Sequence, residues 1–156
     1  MSNKDEVMVR PMQKEDVAAV VNIVLKTSLW QRYGVEKESL SAALQQSLKT
    51  DDELIVAEKG RQICGFAWLL PKGFVARSPY IKMIGVMGDC TGLGIGKKLL
   101  NTVERGKTEI FLLTSDFNKN AQKFYQKNGY KQIGVIPNYI LDNVDELIFY
   151  KKIPQD

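Results

Sequence analysis

The spacing of apolar residues in the first half of the chain predicts alternating strands and helices. Residues 14–26 carry valines at helical spacing, and leucines recur every four residues over 36–49, so each segment has one apolar helical face. An aromatic-bearing connection at 27–34 joins these helices, and Gly60 marks a hairpin turn between two later strands. The segment 71–79 is expected to be irregular. The elements predicted here are a strand at 7–10, helices at 14–26 and 36–49, and strands at 54–58 and 62–70.

The second half has a different order, in which a strand, a glycine-rich turn and a helix follow one another. A strand at 80–86 leads into a turn that contains Gly92, Gly94 and Gly96. Gly129 is placed to end a later helix at its C-terminus. The other predicted elements are a strand at 109–114, a helix at 118–128, and strands at 130–136 and 146–152. Strands that alternate with helices after an initial hairpin predict a mixed α/β sheet in a single domain, residues 1–156.

Length and charge exclude several classes of protein. A chain of 156 residues can bury one core but is short for two domains. Its net charge of +4 comes from 22 basic and 18 acidic residues without a run of five like charges, so no nucleic-acid partner is expected. No apolar stretch approaches the roughly 20 residues of a membrane span, and residues 1–10 lack the apolar core of a secretory signal. With only two cysteines, we expect a cytoplasmic protein with free thiols.

The sequence contains no histidine, and this restricts the chemistry that it can perform. Ser-His-Asp and Cys-His nucleophilic catalysis are removed, as is every histidine-ligated metal site. No metal is expected. Any proton transfer must therefore use tyrosine, a carboxylate, lysine, cysteine or water.

The glycine-rich turn is predicted to bind an anion. A strand that enters such a turn at the start of a helix directs several free backbone N–H groups and the positive end of the helix dipole to one place. Phosphate is the natural ligand, because glycine lets the backbone approach its oxygens closely. The dinucleotide fingerprint does not fit, since Lys97 stands where its third glycine would be, and the P-loop pattern fails at Thr91 and Lys98.

The segment Thr91-Gly92-Leu93-Gly94-Ile95-Gly96 resembles the coenzyme A pyrophosphate loop of the GNAT acetyltransferases, which reads Gln or Arg, two residues, Gly, one residue, then Gly or Ala. It departs from that pattern at Thr91, which carries no charge, and Lys97 or Lys98 could compensate. The resemblance also implies backbone contacts to the thioester from the strand end. The cofactor-binding residues that it implies are Val86, Met87, Thr91, Gly92, Leu93, Gly94, Ile95, Gly96, Lys97 and Asn118.

A second motif of the same family resembles residues 118–130, Asn118-x-x-Ala121-x-x-Phe124-Tyr125 followed by Gly129-Tyr130. Two motifs in the expected order imply the GNAT fold, a mostly antiparallel sheet of about six to seven strands with about four helices. They also imply an N-acetyltransferase that uses acetyl-coenzyme A as co-substrate. The acetyl group would pass to a primary amine by direct attack in a ternary complex.

Tyr125 is the expected catalytic residue, as the acid that protonates the departing thiolate. A phenol with a pKa of about 10 does this only if the transfer is coupled to bond breaking or if the pKa is lowered. The competing interpretation is a packed tyrosine whose hydroxyl is hydrogen-bonded. Asn118 is interpreted either as an N-cap or as a cofactor contact.

The general base and the acceptor remain open at this point. Asp116 is the nearest carboxylate in the pattern. Glu53, Asp145 and Glu146 are other carboxylates at strand ends, but they are expected to be surface charges. Water, or an amine that arrives already deprotonated, would also suffice. The acceptor, a small-molecule or peptide amine, could be a polyamine, an aminoglycoside, an amino acid, or a protein N-terminus or lysine. A homodimer is also left open. The alternative function is a non-catalytic sensor or scaffold that holds an acyl-coenzyme A. Aromatic residues that could form a wall of the acceptor site are Trp30, Tyr33, Trp68, Phe74 and Tyr80.

Overall fold

The computed structural model describes residues 6–155, and they form seven strands and five α-helices. Short 3-10 turns precede α1, at Lys14–Asp16, and α4, at Gly88–Cys90. The strands are β1 (Val7–Pro11), β2 (Glu53–Lys59), β3 (Gln62–Phe74), β4 (Ser78–Val86), β5 (Glu109–Ser115), β6 (Lys131–Ile136) and β7 (Glu146–Lys152). The helices are α1 (Val17–Leu25), α2 (Ser28–Arg32), α3 (Lys37–Ser47), α4 (Ile95–Glu104) and α5 (Lys119–Lys127).

All seven strands belong to one sheet, in the order β1-β2-β3-β4-β5-β7-β6. Every neighbouring pair is antiparallel except β4 and β5, which are parallel. The mixed, mostly antiparallel sheet expected from the sequence is therefore confirmed.

The two faces of the sheet bury two apolar clusters. Because side chains alternate along a strand, Val56 and Phe66 face the helices α1 and α3, where they meet Val20, Val24 and Leu44. The opposite face packs against α4 and α5. Its cluster contains Ile55, Ala67, Ile95, Leu99, Leu100, Ile110 and Phe149.

Two segments are more regular than the sequence predicts. The connection 27–34 contains the short helix α2, which raises the number of α-helices from about four to five. The segment expected to be irregular continues β3 to Phe74, which pairs with Ser78 across a turn. The prolines at both ends of this segment are unusual in strands, so the sequence did not indicate strands here. A register shift between Leu70 and Phe74 accommodates the prolines. The ring of Phe74 stacks on Phe111 at 3.9 Å between centroids.

Within the described part of the chain, none of the helices has the length and apolar character that crossing a membrane requires.

Candidate active site

The parallel pair β4 and β5 separates part of the way along its length. Only Tyr80 with Phe111 and Ile81 with Leu112 are paired, although β4 continues to Val86 and β5 to Ser115. The diverging strands border a cavity of about 430 Å³, which α2 and α5 also line. Backbone N–H and C=O groups on the facing edges of the two strands are thus left without partners in the sheet, and a buried strand edge requires such partners.

The glycine-rich turn opens α4 and leaves a run of backbone amides free. Gly92 and Gly94 adopt the left-handed region, with φ of 81° and 76°, and Gly94 is the N-cap of α4. Among the described residues, no hydrogen bond uses the amides of residues 92–97 as donors, and the first to be satisfied is that of Lys98, bonded to the Gly94 carbonyl at 3.1 Å. Six consecutive free amides at a helix N-terminus are suited to binding an anion.

The side chains around this turn have separate roles. The Thr91 hydroxyl donates to the Gly88 carbonyl at 3.0 Å, so its proton is used within the turn. Lys97 and Lys98 are both exposed, and Lys98 donates to the Val7 carbonyl at 3.3 Å. Gly96 serves packing, because a Cβ there would lie 3.2 Å from the Phe124 ring.

The remaining predicted cofactor residues lie on both sides of this turn. Val86 ends β4 opposite Gly65, and the amide of Met87 donates to the Cys64 carbonyl at 2.7 Å. The amide of Met87 is therefore occupied. The side chain of Leu93 is half exposed, whereas that of Ile95 is buried in the core, so both would act through their backbone.

Tyr125 lines the cavity from α5, and its side chain is only 6% exposed. Its ring packs against Phe124, Tyr130 and Phe149. The hydroxyl makes no hydrogen bond to a described residue, unlike that of Tyr130, which donates to Glu104 at 3.2 Å. Burial raises the pKa of Tyr125 well above its usual value. The phenol therefore holds its proton at neutral pH. Its packing fits the structural interpretation, whereas the hydrogen bond that this interpretation includes is not made to any described residue.

Asn118 caps α5, as expected for one of its two interpretations. Its Oδ1 accepts from the Ala121 amide at 3.2 Å, which satisfies one free donor of the helix N-terminus. The residue also lines the cavity. The amide nitrogen of the side chain has no partner among the described residues, so the cap leaves a donor available to a ligand.

Glu146 is the residue that the sequence interpretation missed. It was expected to be a surface charge, yet it is 4% exposed and lines the cavity. Tyr33 donates to its Oε2 at 2.5 Å, and Ser115 lies at the same distance from the Tyr33 hydroxyl. Because the phenol has one proton, Ser115 must donate to Tyr33 when Glu146 is ionised. Burial, opposed by the Tyr33 hydrogen bond, raises the pKa of Glu146.

The signal that could have revealed Glu146 lies in strand pairing. Glu146 begins β7 and is paired with Ser115, the last residue of β5. Ser115 precedes the second motif by three residues, so its partner on the next strand lies at the same end of the sheet. Without knowing the register of β5 and β7, the sequence could not place the two together.

One buried polar atom in the cavity has no partner. The Thr114 side chain is 5% exposed and lines the cavity, and its Oγ1 is the buried side-chain atom that lacks a hydrogen bond among the described residues. Leaving a buried hydroxyl unpaired costs about 1–3 kcal/mol. A ligand that bonded this hydroxyl would recover that free energy.

The other candidates divide between the cavity and the rest of the molecule. Trp30, Tyr33 and Tyr80 line the cavity, whereas Trp68 and Phe74 are not part of its wall. The Trp30 indole can lie against the backbone of β4 because Gly85 has no side chain. A Cβ at Gly85 would lie 2.6 Å from the indole.

The remaining carboxylates have structural partners. Asp116 accepts from the Asp145 amide at 3.1 Å, Asp145 accepts from the Asn138 amide, and Glu53 pairs with Lys107 at 2.7 Å. In residues 6–155, no group of three or more acidic or cysteine side chains is arranged to hold a metal ion.

Comparison with known proteins identifies the family of the chain. A family model described as an acetyltransferase (GNAT) domain matches residues 50–132, slightly more than half of the chain. An uncharacterized N-acetyltransferase of Methanocaldococcus jannaschii is 33% identical over 81 residues, which are 48% of this chain and 52% of that protein. The match thus spans about half the length of this curated relative.

Solved structures share the fold. A GNAT-family acetyltransferase of Bacillus cereus superposes with a TM-score of 0.81 at 20% identity, covering 96% of this chain and 99% of that one. A Salmonella typhimurium protein solved with its cofactor acetyl-CoA has a TM-score of 0.77 at 18% identity, covering 97% and 96% of the two chains. The family match confirms the resemblance to the GNAT acetyltransferases that the sequence indicated, and the solved structures confirm the fold. The chain belongs to the GNAT acetyltransferase family.

Proposed function

We propose that the protein transfers the acetyl group of acetyl-coenzyme A to a primary amine by direct attack within a ternary complex. The observation that carries this proposal is the convergence of two features. Six free amides begin α4, and Gly96 of that first turn packs against Phe124, the neighbour of Tyr125. An anion-binding turn and an unpartnered phenol are thereby held on adjacent helices.

The residues present fit acetyl-coenzyme A. The amides of residues 92–97 would bind its diphosphate, and exposed Lys97 would add a positive charge. The unpaired edges of β4 and β5 offer donors and acceptors to the amides of the pantetheine arm, and Asn118 offers a further donor. When bound, the co-substrate supplies an acetyl group activated as a thioester.

Tyr125 is proposed to deliver a proton to the sulfur as the carbon–sulfur bond breaks. Burial raises the pKa of this phenol and so disfavours its ionisation before the carbon–sulfur bond breaks. Of the two conditions set by its acidity, coupled transfer is therefore the one that the structure favours.

The alternative function, a sensor that holds an acyl-coenzyme A without turnover, is motivated by Thr91. Its hydroxyl is used within the turn, so the loop lacks the charged side chain that is usual in the family. An assay of thiol release from acetyl-coenzyme A against a broad panel of amines separates the two functions. Turnover with any amine supports the enzyme, whereas tight binding without turnover across the panel supports the sensor.

The remaining proposals concern organisation and location. We propose a single domain over residues 1–156 that acts in the cytoplasm without a nucleic-acid partner. Size-exclusion chromatography with light scattering would test the homodimer that the sequence left open.

A further inference from the structure

We infer that Glu146 binds the ammonium group of the acceptor and that the acceptor is a monoamine with an apolar body. The inference rests on the proposed function and narrows its acceptor to one chemical class. It is carried by the contacts and surroundings of Glu146 at the wall of the cavity.

The free oxygen of Glu146 is the first of these observations. Tyr33 donates to Oε2 only, and Oε1 has no hydrogen bond to a described residue. Because Glu146 lines the cavity, this second oxygen is the one left for a ligand. A buried carboxylate with one oxygen held and the other open is a preorganised acceptor of hydrogen bonds from an ammonium group.

The charge of the cavity wall is the second observation. Among the described residues that line it, Glu146 is the sole carboxylate and Lys82 the sole cationic residue. The Lys82 ammonium lies over the Trp68 ring, 4.2 Å from its centroid, and Trp68 is not part of the wall. The Lys82 ammonium is thus engaged by Trp68, and Glu146 is the one carboxylate of the wall.

The third observation is that the rest of the wall is apolar on the side of α2. Leu29, Trp30 and Val35 line it there, and Leu70 and Ile140 also belong to the wall. A polyamine or an aminoglycoside would bring further ammonium groups to this apolar wall, in which the described lining residues include no second carboxylate, and that is unfavourable. An amino acid would bring a carboxylate without a cation. An alkyl or aryl body suits these side chains.

The same carboxylate can take a proton from the bound amine. Glu146 would accept one proton from the ammonium, and the neutral nitrogen would bond to the acetyl carbon while the carbon–sulfur bond breaks. The sulfur receives a proton from Tyr125, and the new amide nitrogen loses its second proton to solvent. Tyr125 then regains a proton from solvent and Glu146 releases the one it took, so the reaction releases one proton overall. The groups that face Glu146 and affect this step are Tyr33, Ser115, Asp116 and Tyr80, with Arg32 beside Tyr33.

The acceptor class is tested first on the unmodified protein. Rates of thiol release are measured with 2-phenylethylamine and hexylamine, and with spermidine, kanamycin and an alanine-containing peptide. We expect kcat/KM to be at least tenfold higher for the two monoamines. Higher kcat/KM with spermidine, kanamycin or the peptide overturns this inference and leaves the proposed function standing, whereas failure to bind acetyl-coenzyme A defeats the proposed function.

The role of Glu146 is tested with Glu146→Gln, which retains the shape of the side chain and deletes the charge. Calorimetry with coenzyme A present should show the Kd of 2-phenylethylamine raised at least tenfold, with acetyl-coenzyme A affinity unchanged. Glu38→Gln, an exposed carboxylate on α3, is the matched control. Unchanged 2-phenylethylamine affinity in Glu146→Gln, or no binding of that amine by the unmodified protein, overturns the inference. A melting temperature equal to that of the control shows that the variant is folded.

Discussion

The turn that opens α4 differs in construction from the part of the cavity around Tyr33, Ser115 and Glu146, which we call the acceptor side. The turn consists of consecutive residues, and its function depends on backbone amides and two left-handed glycines. The acceptor side brings Tyr33, Ser115 and Glu146 together from segments far apart in sequence. A local site is insensitive to most side chains but sensitive to backbone conformation. An assembled site is sensitive to each side chain, because every contact depends on the tertiary fold.

The largest effect is expected where the two regions meet, at Tyr125. The change Tyr125→Phe keeps the ring and removes the hydroxyl group that would donate the proton. The kcat should therefore fall about 10²-fold or more, while acetyl-coenzyme A affinity is retained. The measurement is kcat at saturating amine, with chemistry shown to be rate-limiting. Tyr130→Phe is the control: it removes the hydrogen bond to Glu104 and should lower stability by about 1 kcal/mol without affecting kcat. Unchanged kcat in Tyr125→Phe would exclude this tyrosine as the acid.

The next effect tests whether the turn depends on its backbone. In Gly94→Val, a β-branched residue is forced into the left-handed region, and the displaced amides should weaken acetyl-coenzyme A binding by about tenfold, or 1.4 kcal/mol. Gly106→Val is the matched control, since Gly106 has φ of 73° and open space around it but lies after α4. Calorimetry should show equal affinity in the control and the unmodified protein. Equal affinity in both variants would remove the turn from the binding site.

Thr91 gives a companion change in the same turn. Thr91→Arg restores the residue type usual in the family, and its guanidinium can reach an anion that the threonine hydroxyl does not serve. Calorimetry should show unchanged or tighter binding of acetyl-coenzyme A. A marked loss would indicate that the register assigned to the loop is wrong.

A smaller effect, on the pH dependence of kcat/KM, tests the role of Glu146 in the acceptor side. The Tyr33 hydrogen bond lowers the pKa of Glu146, and burial raises it. Tyr33→Phe leaves burial unopposed, so the pKa of Glu146 should rise further and the acid limb of the kcat/KM profile should move to higher pH. Tyr33 itself stays neutral, with its pKa raised to about 12. Tyr150→Phe serves as the control, and overlapping profiles of Tyr33→Phe and the unmodified protein would contradict the role assigned to Glu146.

The smallest effect concerns the unpartnered Thr114 hydroxyl. Thr114→Val removes it with little change of shape, and the protein without ligands should gain about 1 kcal/mol, or about 2–4 °C in melting temperature. The ligand that bonds this hydroxyl should then stabilise the variant less than it stabilises the unmodified protein. Thermal melting with and without acetyl-coenzyme A or amine measures both. A lower melting temperature for the variant would show that the hydroxyl has a partner.

The sequence could predict the local features of the molecule but not those assembled from distant segments. The helices α1 and α3, the hairpin of β2 and β3 and the turn before α4 depend on neighbours within a few residues, and the predicted spacing locates them. The stop at Gly129, with φ of 92°, and the cap at Asn118 are local too. Burial of Glu146 depends on the register of β5 with β7 and on α2 lying above it. No local pattern contains that information, which is why Glu146 resembled a surface charge.

The early separation of β4 from β5 also divides the sheet mechanically. The strands β1 to β4 and the strands β5 to β7 are joined within the sheet by two residue pairs alone among the described residues. Along the rest of the boundary between β4 and β5, which we call the seam, no ladder of hydrogen bonds resists a change in the angle between these two groups of strands. An extended ligand that bonds to both edges would act as an additional strand and couple their motions. Binding of the co-substrate should therefore stiffen the whole sheet, and the shape of the acceptor side would depend on whether the seam is filled.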